Sequence, residues 1–250
     1  MFLLLVHILT GLVSAYALLR GARGTAPRRT PRQRRLVRWW MARLCAILGV
    51  RVTVRGADPG RGVLFVANHI SWLDIPAVMS VTDVDFVSKH DVLNWPIIGT
   101  LAERAGTIFI VRGGREAATL ATDQIVARLE QPYNVIVFPE GTTTDGSALR
   151  KFHPRLYQAA LQTNTSVQAL AIDYPGELGP QGVAPFVGDD SLVAHLWRVL
   201  AEPRLAVELT FCELTPAQGD RRTLAEHTRR QIHLILNPPG LTDTRHIAGM

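Results

Sequence analysis

The sequence predicts an α/β fold with a mixed, mostly parallel sheet flanked by helices and preceded by an N-terminal membrane-anchoring helical segment. Three observations predict it. From residue 51 onward, short β-branched runs recur along the chain. Longer stretches with helical periodicity lie between these runs. The first nineteen residues contain no charged side chain, which sets them apart from the rest.

Residues 1–19 are mostly Leu, Val, Ile, Phe and Ala, and a helix of that length is just long enough to cross a hydrocarbon core. A cleaved signal peptide is the alternative interpretation. Its basic region would precede the apolar run, whereas here the arginines follow it. Because positive flanks stay in the cytoplasm, we expect the body on the cytoplasmic face of the inner membrane.

Residues 36–50 predict a second helix that is apolar almost all round, with Trp39 and Trp40 adjacent. Such a helix suits the headgroup layer of a bilayer, and a helix packed on the domain is the alternative. An Arg-rich linker joins the two helices. The predicted organisation is therefore a membrane anchor, one α/β domain and a C-terminal tail: residues 1–50, 51–236 and 237–250.

The body of the chain alternates predicted strands with predicted helices. The strands are residues 51–54, 63–67, 85–88, 107–111, 135–138, 167–172 and 205–211. The helices are residues 75–81, 115–130, 155–162, 191–200 and 223–236. Ligand sites in such sheets gather where the strands end, so the residues that follow strands are the first candidates for a site.

The positive charge of the chain is concentrated at one end. The net charge is +6, yet residues 1–55 carry eleven arginines and no acidic residue. Arginine beside an apolar segment favours anionic lipid headgroups, and no zinc pattern or nucleic-acid module accompanies it. We therefore expect membrane lipids and no nucleic acid as partners. Cys45 and Cys212 are too few and too far apart for a disulfide framework or a metal site.

A histidine and an aspartate follow the second predicted strand. His69 stands two residues after that strand, and Asp74 stands five residues further on. A carboxylate at this spacing can return to the ring, fix its tautomer and stabilise the imidazolium that forms on proton uptake. The pair therefore has the chemistry of a general base.

Two further strand ends carry polar residues. Arg112 follows a strand and precedes Gly113 and a helix, which together make an anion site. Pro139 ends another strand, and Gly141 after it lets backbone approach a ligand closely.

Together these segments resemble the glycerolipid acyltransferase family typified by 1-acylglycerol-3-phosphate acyltransferase, over about residues 51–175. The first block of that family is a histidine, four residues and an aspartate. The resemblance implies that His69 deprotonates the acceptor hydroxyl and that Asp74 orients the ring. It also implies that an acceptor-headgroup site is formed by Lys89, Arg112, Glu140, Gly141 and Thr142.

The implied reaction moves a fatty acyl group from acyl-CoA or acyl carrier protein to the free hydroxyl of 1-acylglycerol-3-phosphate, giving phosphatidic acid. It needs no cofactor and no metal, because a thioester is already activated. We expect the oxyanion donors among the backbone amides near residues 138–142. An acidic carrier protein would need a basic patch, for which Arg150, Lys151 and Arg155 are candidates.

One departure from the family keeps another acceptor open. Many members that use a phosphate acceptor have arginine where this chain has Thr143. Arg115, Arg150 or Lys151 would have to replace it, or the acceptor carries no phosphomonoester. Residues 186–200 resemble a segment of proteobacterial members, some of which acylate lyso-ornithine lipid. Lyso-ornithine lipid is therefore the main alternative acceptor.

Three other functions remain as alternatives. The first is a membrane module that binds lipid without turning it over, although such a module has no need of a base. The second is a hydrolase, which would release acyl groups equally well without an acceptor. The third is a mechanism in which Ser71, close in sequence to His69, forms an acyl intermediate.

Overall fold

The computed structural model describes residues 2–18, 30–56, 61–111, 114–131, 133–179, 181–202 and 204–238. Within these residues seven strands form one sheet. They are β1 (Arg51–Arg55), β2 (Leu64–Ala67), β3 (Val84–Lys89), β4 (Ile108–Ile110), β5 (Asn134–Val137), β6 (Val167–Asp173) and β7 (Ala206–Thr215). Their order across the sheet is β1-β7-β6-β2-β5-β3-β4.

The sheet is mixed and mostly parallel. Strands β6, β2, β5, β3 and β4 run parallel to one another, while β7 is antiparallel to β6 and carries β1 at the edge. Every residue of β2 and β5 is buried, which explains their unbroken apolar sequences. The predicted mostly parallel α/β sheet is therefore confirmed.

Eight α-helices occur among the described residues. They are α1 (Phe2–Leu18), α2 (Pro31–Ile47), α3 (Asp74–Val81), α4 (Ile98–Arg104), α5 (Gly114–Leu129), α6 (Gln158–Thr163), α7 (Leu192–Ala201) and α8 (Arg221–Leu236). Helices α2, α3 and α7 contribute to the core on one face of the sheet, and α5, α6 and α8 contribute to the other. This layering keeps both faces of the central strands dry.

Three short segments differ from the sequence prediction. Helix α4 and the 3-10 helix His90–Asn94 were not predicted, because Pro96 and Gly99 interrupt any periodic pattern there. A Cβ at Gly99 would lie 2.0 Å from the carbonyl oxygen of Leu93, so this tight turn requires glycine. The single helix predicted at residues 155–162 is instead the 3-10 helix Pro154–Tyr157 followed by α6.

Helix α1 packs against the domain through one narrow stripe. Leu4, His7 and Ala15 are buried, and Trp40 of α2 donates its indole N–H to the His7 carbonyl at 3.2 Å. Seven large side chains of α1 are exposed: Phe2, Leu3, Leu5, Val6, Leu9, Val13 and Tyr16. No helix among the described residues combines the length and apolarity needed to cross a bilayer.

Helix α2 begins at a reciprocal capping box and packs on the domain. Thr30 accepts from the backbone of Gln33, and the Gln33 side chain accepts from the backbone of Thr30. Val37 and Cys45 lie in the core, whereas Trp39 is exposed. The predicted interfacial helix is thus also part of the domain core, and its place in the headgroup layer stays a prediction.

Candidate active site

The carboxyl ends of the parallel strands bring four parts of the chain to one edge of the sheet. His69 follows β2, Lys89 ends β3, Glu140 follows β5 and Tyr174 follows β6. Asn68 ties two of these ends together: its side chain donates to the Ile172 carbonyl and accepts from the Ile172 N–H, both at 2.8 Å. All four residues therefore lie at the carboxyl edge of the sheet, where ligand sites of such folds gather.

His69 and Asp74 form a direct pair. The ring Nδ1 of His69 donates to Asp74 Oδ2 at 2.7 Å, since an ionised carboxylate can only accept. Asp74 is the first residue of α3 and is completely buried. The same Oδ2 accepts the backbone N–H groups of Ile70 at 2.8 Å and Ser71 at 3.1 Å. The loop between β2 and α3, residues 68–73, is called the histidine loop below. Its backbone and the His69 ring all donate to one carboxylate.

The His69 ring is held flat against Phe138, which follows β5. The ring centroids are 3.8 Å apart and the planes differ by 8°. His69 Nε2 has no hydrogen-bond partner among the described residues, and the ring lines a large cavity. With Nδ1 committed to Asp74, Nε2 is the nitrogen that can take a proton from a ligand.

Glu140 holds the histidine loop from the other side. Its Oε1 accepts the backbone N–H of His69 and its Oε2 accepts that of Arg150, both at 2.9 Å. Burial raises the pKa of Glu140, although these two amides oppose the shift. The family resemblance implies that this carboxylate belongs to the acceptor-headgroup site. In the structure both oxygens bond to backbone, so Glu140 shapes the site by fixing the position of His69.

The cavity beside His69 has a volume of about 1290 Å³ and a largely apolar wall. Trp40 and Met41 from α2, Met79 from α3 and Leu101 from α4 belong to this wall. Helix α1 also contributes, through Gly11, Ser14 and Ala15. A cavity of this volume with an apolar wall suits an alkyl chain. The N-terminal helices form part of this cavity, because α1 and α2 both contribute residues to its wall.

Polar and cationic residues line the cavity together with His69. Gly141 adopts a left-handed φ of 76°, and the ring of the exposed His153 lies 3.5 Å from where its Cβ would stand. Lys89, Thr142 and Arg155 also line the cavity. The structure thus brings Lys89, Glu140, Gly141 and Thr142 to the cavity that His69 lines. Arg112 lies outside the described residues, although Val111 just before it lines the same cavity.

The cations proposed to replace the missing arginine lie in different places. Arg150 and Lys151 are exposed and are not part of the cavity wall, and the side chain of Arg115 is outside the described part. Arg155, assigned from the sequence to carrier docking, does line the cavity. Thr143 itself donates its hydroxyl to the Phe186 carbonyl, which fastens residues 183–190 beside the histidine loop.

Several supporting residues had no signal in the sequence. Tyr174 donates its hydroxyl to Asp74 Oδ1 at 2.6 Å across 100 positions of the chain. Trp72 donates its indole N–H to Nδ1 of the buried His195 at 3.0 Å, and His195 Nε2 donates to the Pro185 carbonyl at 2.9 Å. These contacts depend on the packing of distant elements, so spacing along the chain could not reveal them.

Other reactive side chains are unsuited to catalysis. Ser71 is fully buried, and its hydroxyl has no hydrogen-bond partner among the described residues and does not line the cavity. Burial raises the pKa of the Cys45 thiol to about 12 and that of Cys212 to about 11, so both stay protonated. Within the described residues no group of three His, Cys, Asp or Glu side chains could hold a metal ion.

This chain is similar in sequence to a known protein family and to named members of it. The family model described as Acyltransferase matches residues 50–173. The lyso-ornithine lipid O-acyltransferase of Pseudomonas aeruginosa is 43% identical over 221 residues, which cover 88% of this chain and 85% of that protein. The 1-acyl-sn-glycerol-3-phosphate acyltransferase of Neisseria gonorrhoeae is 31% identical over 221 residues, covering 87% and 86%.

A solved structure also resembles this one. The 1-acyl-sn-glycerophosphate acyltransferase PlsC from Thermotoga maritima aligns with a TM-score of 0.64 at 19% identity, covering 94% of this chain and 92% of that chain. At this level of identity the likeness establishes the fold alone.

Proposed function

The chain belongs to the glycerolipid acyltransferase family, and from that premise we propose that it acylates lyso-ornithine lipid, with His69 as base and Asp74 as its orienting partner. It is an O-acyltransferase of lysolipids, as its relatives are. The observation that carries the site assignment is the 2.7 Å pair of His69 and Asp74 at a cavity of about 1290 Å³.

The reaction requires one proton to move from the acceptor hydroxyl to His69 and from His69 to the departing thiolate. His69 Nε2 takes the proton of the acceptor hydroxyl as its oxygen attacks the thioester carbonyl carbon. The tetrahedral intermediate then collapses, the carbon–sulfur bond breaks, and the imidazolium returns the proton to the departing thiolate. Asp74 keeps its charge throughout and stabilises the imidazolium. Ser71 and both cysteines take no part in this sequence.

The oxyanion of the intermediate needs donors near the reacting carbon. Thr142 and Thr143 line the cavity, and their backbone N–H groups donate to no described residue. We assign these two amides to the oxyanion, in line with the expectation that the donors lie near residues 138–142. The acyl chains then occupy the apolar cavity between α1, α2, α3 and α4.

The acceptor is proposed from two supports. The lyso-ornithine lipid O-acyltransferases of Pseudomonas aeruginosa and Rhizobium meliloti are 43% and 41% identical to this chain, against 31% for the Neisseria gonorrhoeae enzyme, although that of Brucella abortus is 30% identical. Thr143, which stands in place of a family arginine, is bonded to Phe186. The sequence alone favoured lysophosphatidate with lyso-ornithine lipid as the main alternative, and we now propose lyso-ornithine lipid first on the support of these two observations.

Lysophosphatidate is the second candidate acceptor, because among the described residues Lys89, His153 and Arg155 line the cavity in addition to His69. A phosphate and the free carboxylate of an ornithine headgroup both suit such a wall.

We further propose that α1 and the basic face of α2 hold the protein at the inner membrane, with the site on the cytoplasmic side. The donor is acyl-CoA or acyl carrier protein.

A panel of acceptors tests this function. Purified enzyme receives lyso-ornithine lipid, lysophosphatidate or lysophosphatidylethanolamine with each donor in turn, and both the free thiol and the lipid product are measured. We expect kcat/KM for lyso-ornithine lipid to exceed that for lysophosphatidate at least about tenfold. The opposite ranking would establish lysophosphatidate as the acceptor. Equal thiol release without acceptor would indicate a hydrolase, and none with any acceptor would indicate a binding module.

A further inference from the structure

The two carboxylate oxygens of Asp74 are bonded to different parts of the chain. Oδ2 accepts only from its own loop, from His69 and from the backbone of Ile70 and Ser71. Oδ1 accepts the hydroxyl of Tyr174 at 2.6 Å, and no other described group donates to it. Among the described residues, Tyr174 is thus the one donor that reaches Asp74 from outside the histidine loop.

The sheet itself delivers Tyr174 to this position. Tyr174 directly follows β6, which pairs in parallel with β2, the strand that leads to His69. The two hydrogen bonds between the Asn68 side chain and the backbone of Ile172 fix these strand ends relative to each other. The contact between Tyr174 and Asp74 therefore depends on strand register and not on a flexible loop.

Tyr174 acts on the pair without touching a ligand. Its side chain is completely buried and is not part of the cavity wall. Burial, followed by the charge of Asp74, raises the pKa of Tyr174 well above 10, so the phenol remains a donor throughout any assay range. A hydroxyl that always donates fixes both the orientation and the charge of the carboxylate it meets.

We propose that Tyr174 is a positioning residue for acyl transfer, whose hydroxyl holds the Asp74 carboxylate in the orientation that His69 needs when it takes the acceptor proton. The proposal rests on the His69 and Asp74 pair assigned above. Preorganised donors of this kind reduce the rearrangement that the site must make as charge develops. The other ionisable groups facing this region are Glu140, from the loop after β5, and the protonated thiol of Cys45, from α2.

Tyr174→Phe tests the proposal, because it removes one hydroxyl and keeps the ring. Tyr157→Phe is the matched control: Tyr157 is equally buried, and its hydroxyl lies 2.7 Å from Thr228 Oγ1 in the core on the other face of the sheet. We expect Tyr174→Phe to lower kcat on the order of tenfold, a fraction of the effect of losing a triad aspartate, with KM for the lysolipid within about twofold. Tyr157→Phe should keep kcat within about twofold at a similar melting temperature.

The pH profile separates positioning from packing. Without the Tyr174 hydroxyl the negative charge concentrates on the oxygen next to His69, so the pair holds a proton more tightly. The acid limb of kcat/KM should then move to higher pH in Tyr174→Phe and stay in place in Tyr157→Phe. If kcat and the acid limb of the two variants match, the hydroxyl serves packing alone and the proposal fails.

A second measurement covers the case in which Tyr174→Phe does not fold. Incorporation of 3-fluorotyrosine at position 174 alone keeps the ring and makes the phenol a stronger donor. The acid limb should move to lower pH, and an unchanged limb would overturn the proposal. Turnover of unaltered enzyme in the acceptor panel, abolished by His69→Ala, establishes the transfer reaction separately. Loss of that reaction would refute the proposed function, whereas insensitivity to position 174 would refute only this inference.

Discussion

The two ring nitrogens of His69 face different surroundings. Nδ1 donates to a fully buried carboxylate, while Nε2 faces the cavity with no described partner. Replacing His69 with alanine should lower kcat by on the order of 10²–10⁴, because the acceptor hydroxyl loses its base. The melting temperature should change little. His227→Ala, an exposed change on α8, serves as control, and retention of most activity by His69→Ala would remove this histidine from the mechanism.

Glu140 allows a second test at the scale of one residue. Its two oxygens accept the backbone N–H groups of His69 and Arg150, and an amide side chain can satisfy only one of them. Glu140→Gln should therefore destabilise the fold by about 1–3 kcal/mol and also lower kcat, because the histidine loop shifts. Thermal unfolding and steady-state kinetics measure both effects.

The same variant separates two roles for Glu140. A residue that only binds the headgroup would raise KM and leave both stability and kcat unchanged. Glu226→Gln, an exposed change on α8, controls for loss of one negative charge. If Glu140→Gln has the melting temperature of Glu226→Gln and differs from it only in KM, Glu140 binds the headgroup, as the sequence predicts. It then does not fix the position of His69.

At the scale of elements, helix α7 is joined to the histidine loop by His195. Its Nδ1 accepts the Trp72 indole N–H, so this bond requires the neutral ring. Burial lowers the pKa of His195 below its ordinary value of 6.5. Because the folded pKa is the lower one, the stability from this group is full above pH 6.5 and is lost as pH falls through the folded pKa.

Melting curves between pH 8 and pH 5 check this dependence. His195→Gln keeps one acceptor and one donor and does not titrate, so its melting temperature should fall less on acidification than that of the unaltered protein. Each 1 kcal/mol of lost stability corresponds to roughly 2–4 °C for a chain of this size. The charged side chains of Asp190 and Arg198, which act on the ring, are common to both proteins. Parallel curves would show that His195 does not sense pH in this range.

The sequence predicts the buried strands and the local part of the site, but it does not predict contacts between distant residues. Strands β2 and β5 are buried on both faces, so their apolar runs mark them clearly. The contact between His69 and Asp74 is also predictable, since the two residues are only five positions apart. Tyr174 and His195 are not, because they reach the loop across 100 and 123 positions of the chain. Local patterns carry no information about which distant side chains a parallel sheet will bring together.

At the scale of the whole molecule, the N-terminal helices join two features. Helix α1 exposes large apolar side chains on most of its surface and carries no charge. The same helix and α2 line the cavity through Gly11, Ala15 and Trp40. We propose that a bilayer covers this apolar surface next to the cavity wall. On that proposal, membrane association and substrate binding involve the same two helices.

Helix α2 adds charge to this surface. It contains five arginines and no acidic residue, and Arg35 and Arg38 are exposed. A basic residue near an anionic membrane contributes about 1 kcal/mol, so reversing both charges should weaken binding to phosphatidylglycerol vesicles at least about tenfold. Co-sedimentation with vesicles at low and high salt measures this, because salt screens exposed charges.

The matched control for that pair is Arg221→Glu with Arg230→Glu, two exposed arginines of α8 on the other face of the sheet. This variant has the same net charge as Arg35→Glu with Arg38→Glu, so only the location of the change differs. Binding to uncharged phosphatidylcholine vesicles should be equal in both, since α1 is untouched. If the α8 pair weakens binding to anionic vesicles as much as the α2 pair does, net charge alone governs association and the protein has no basic membrane-facing side.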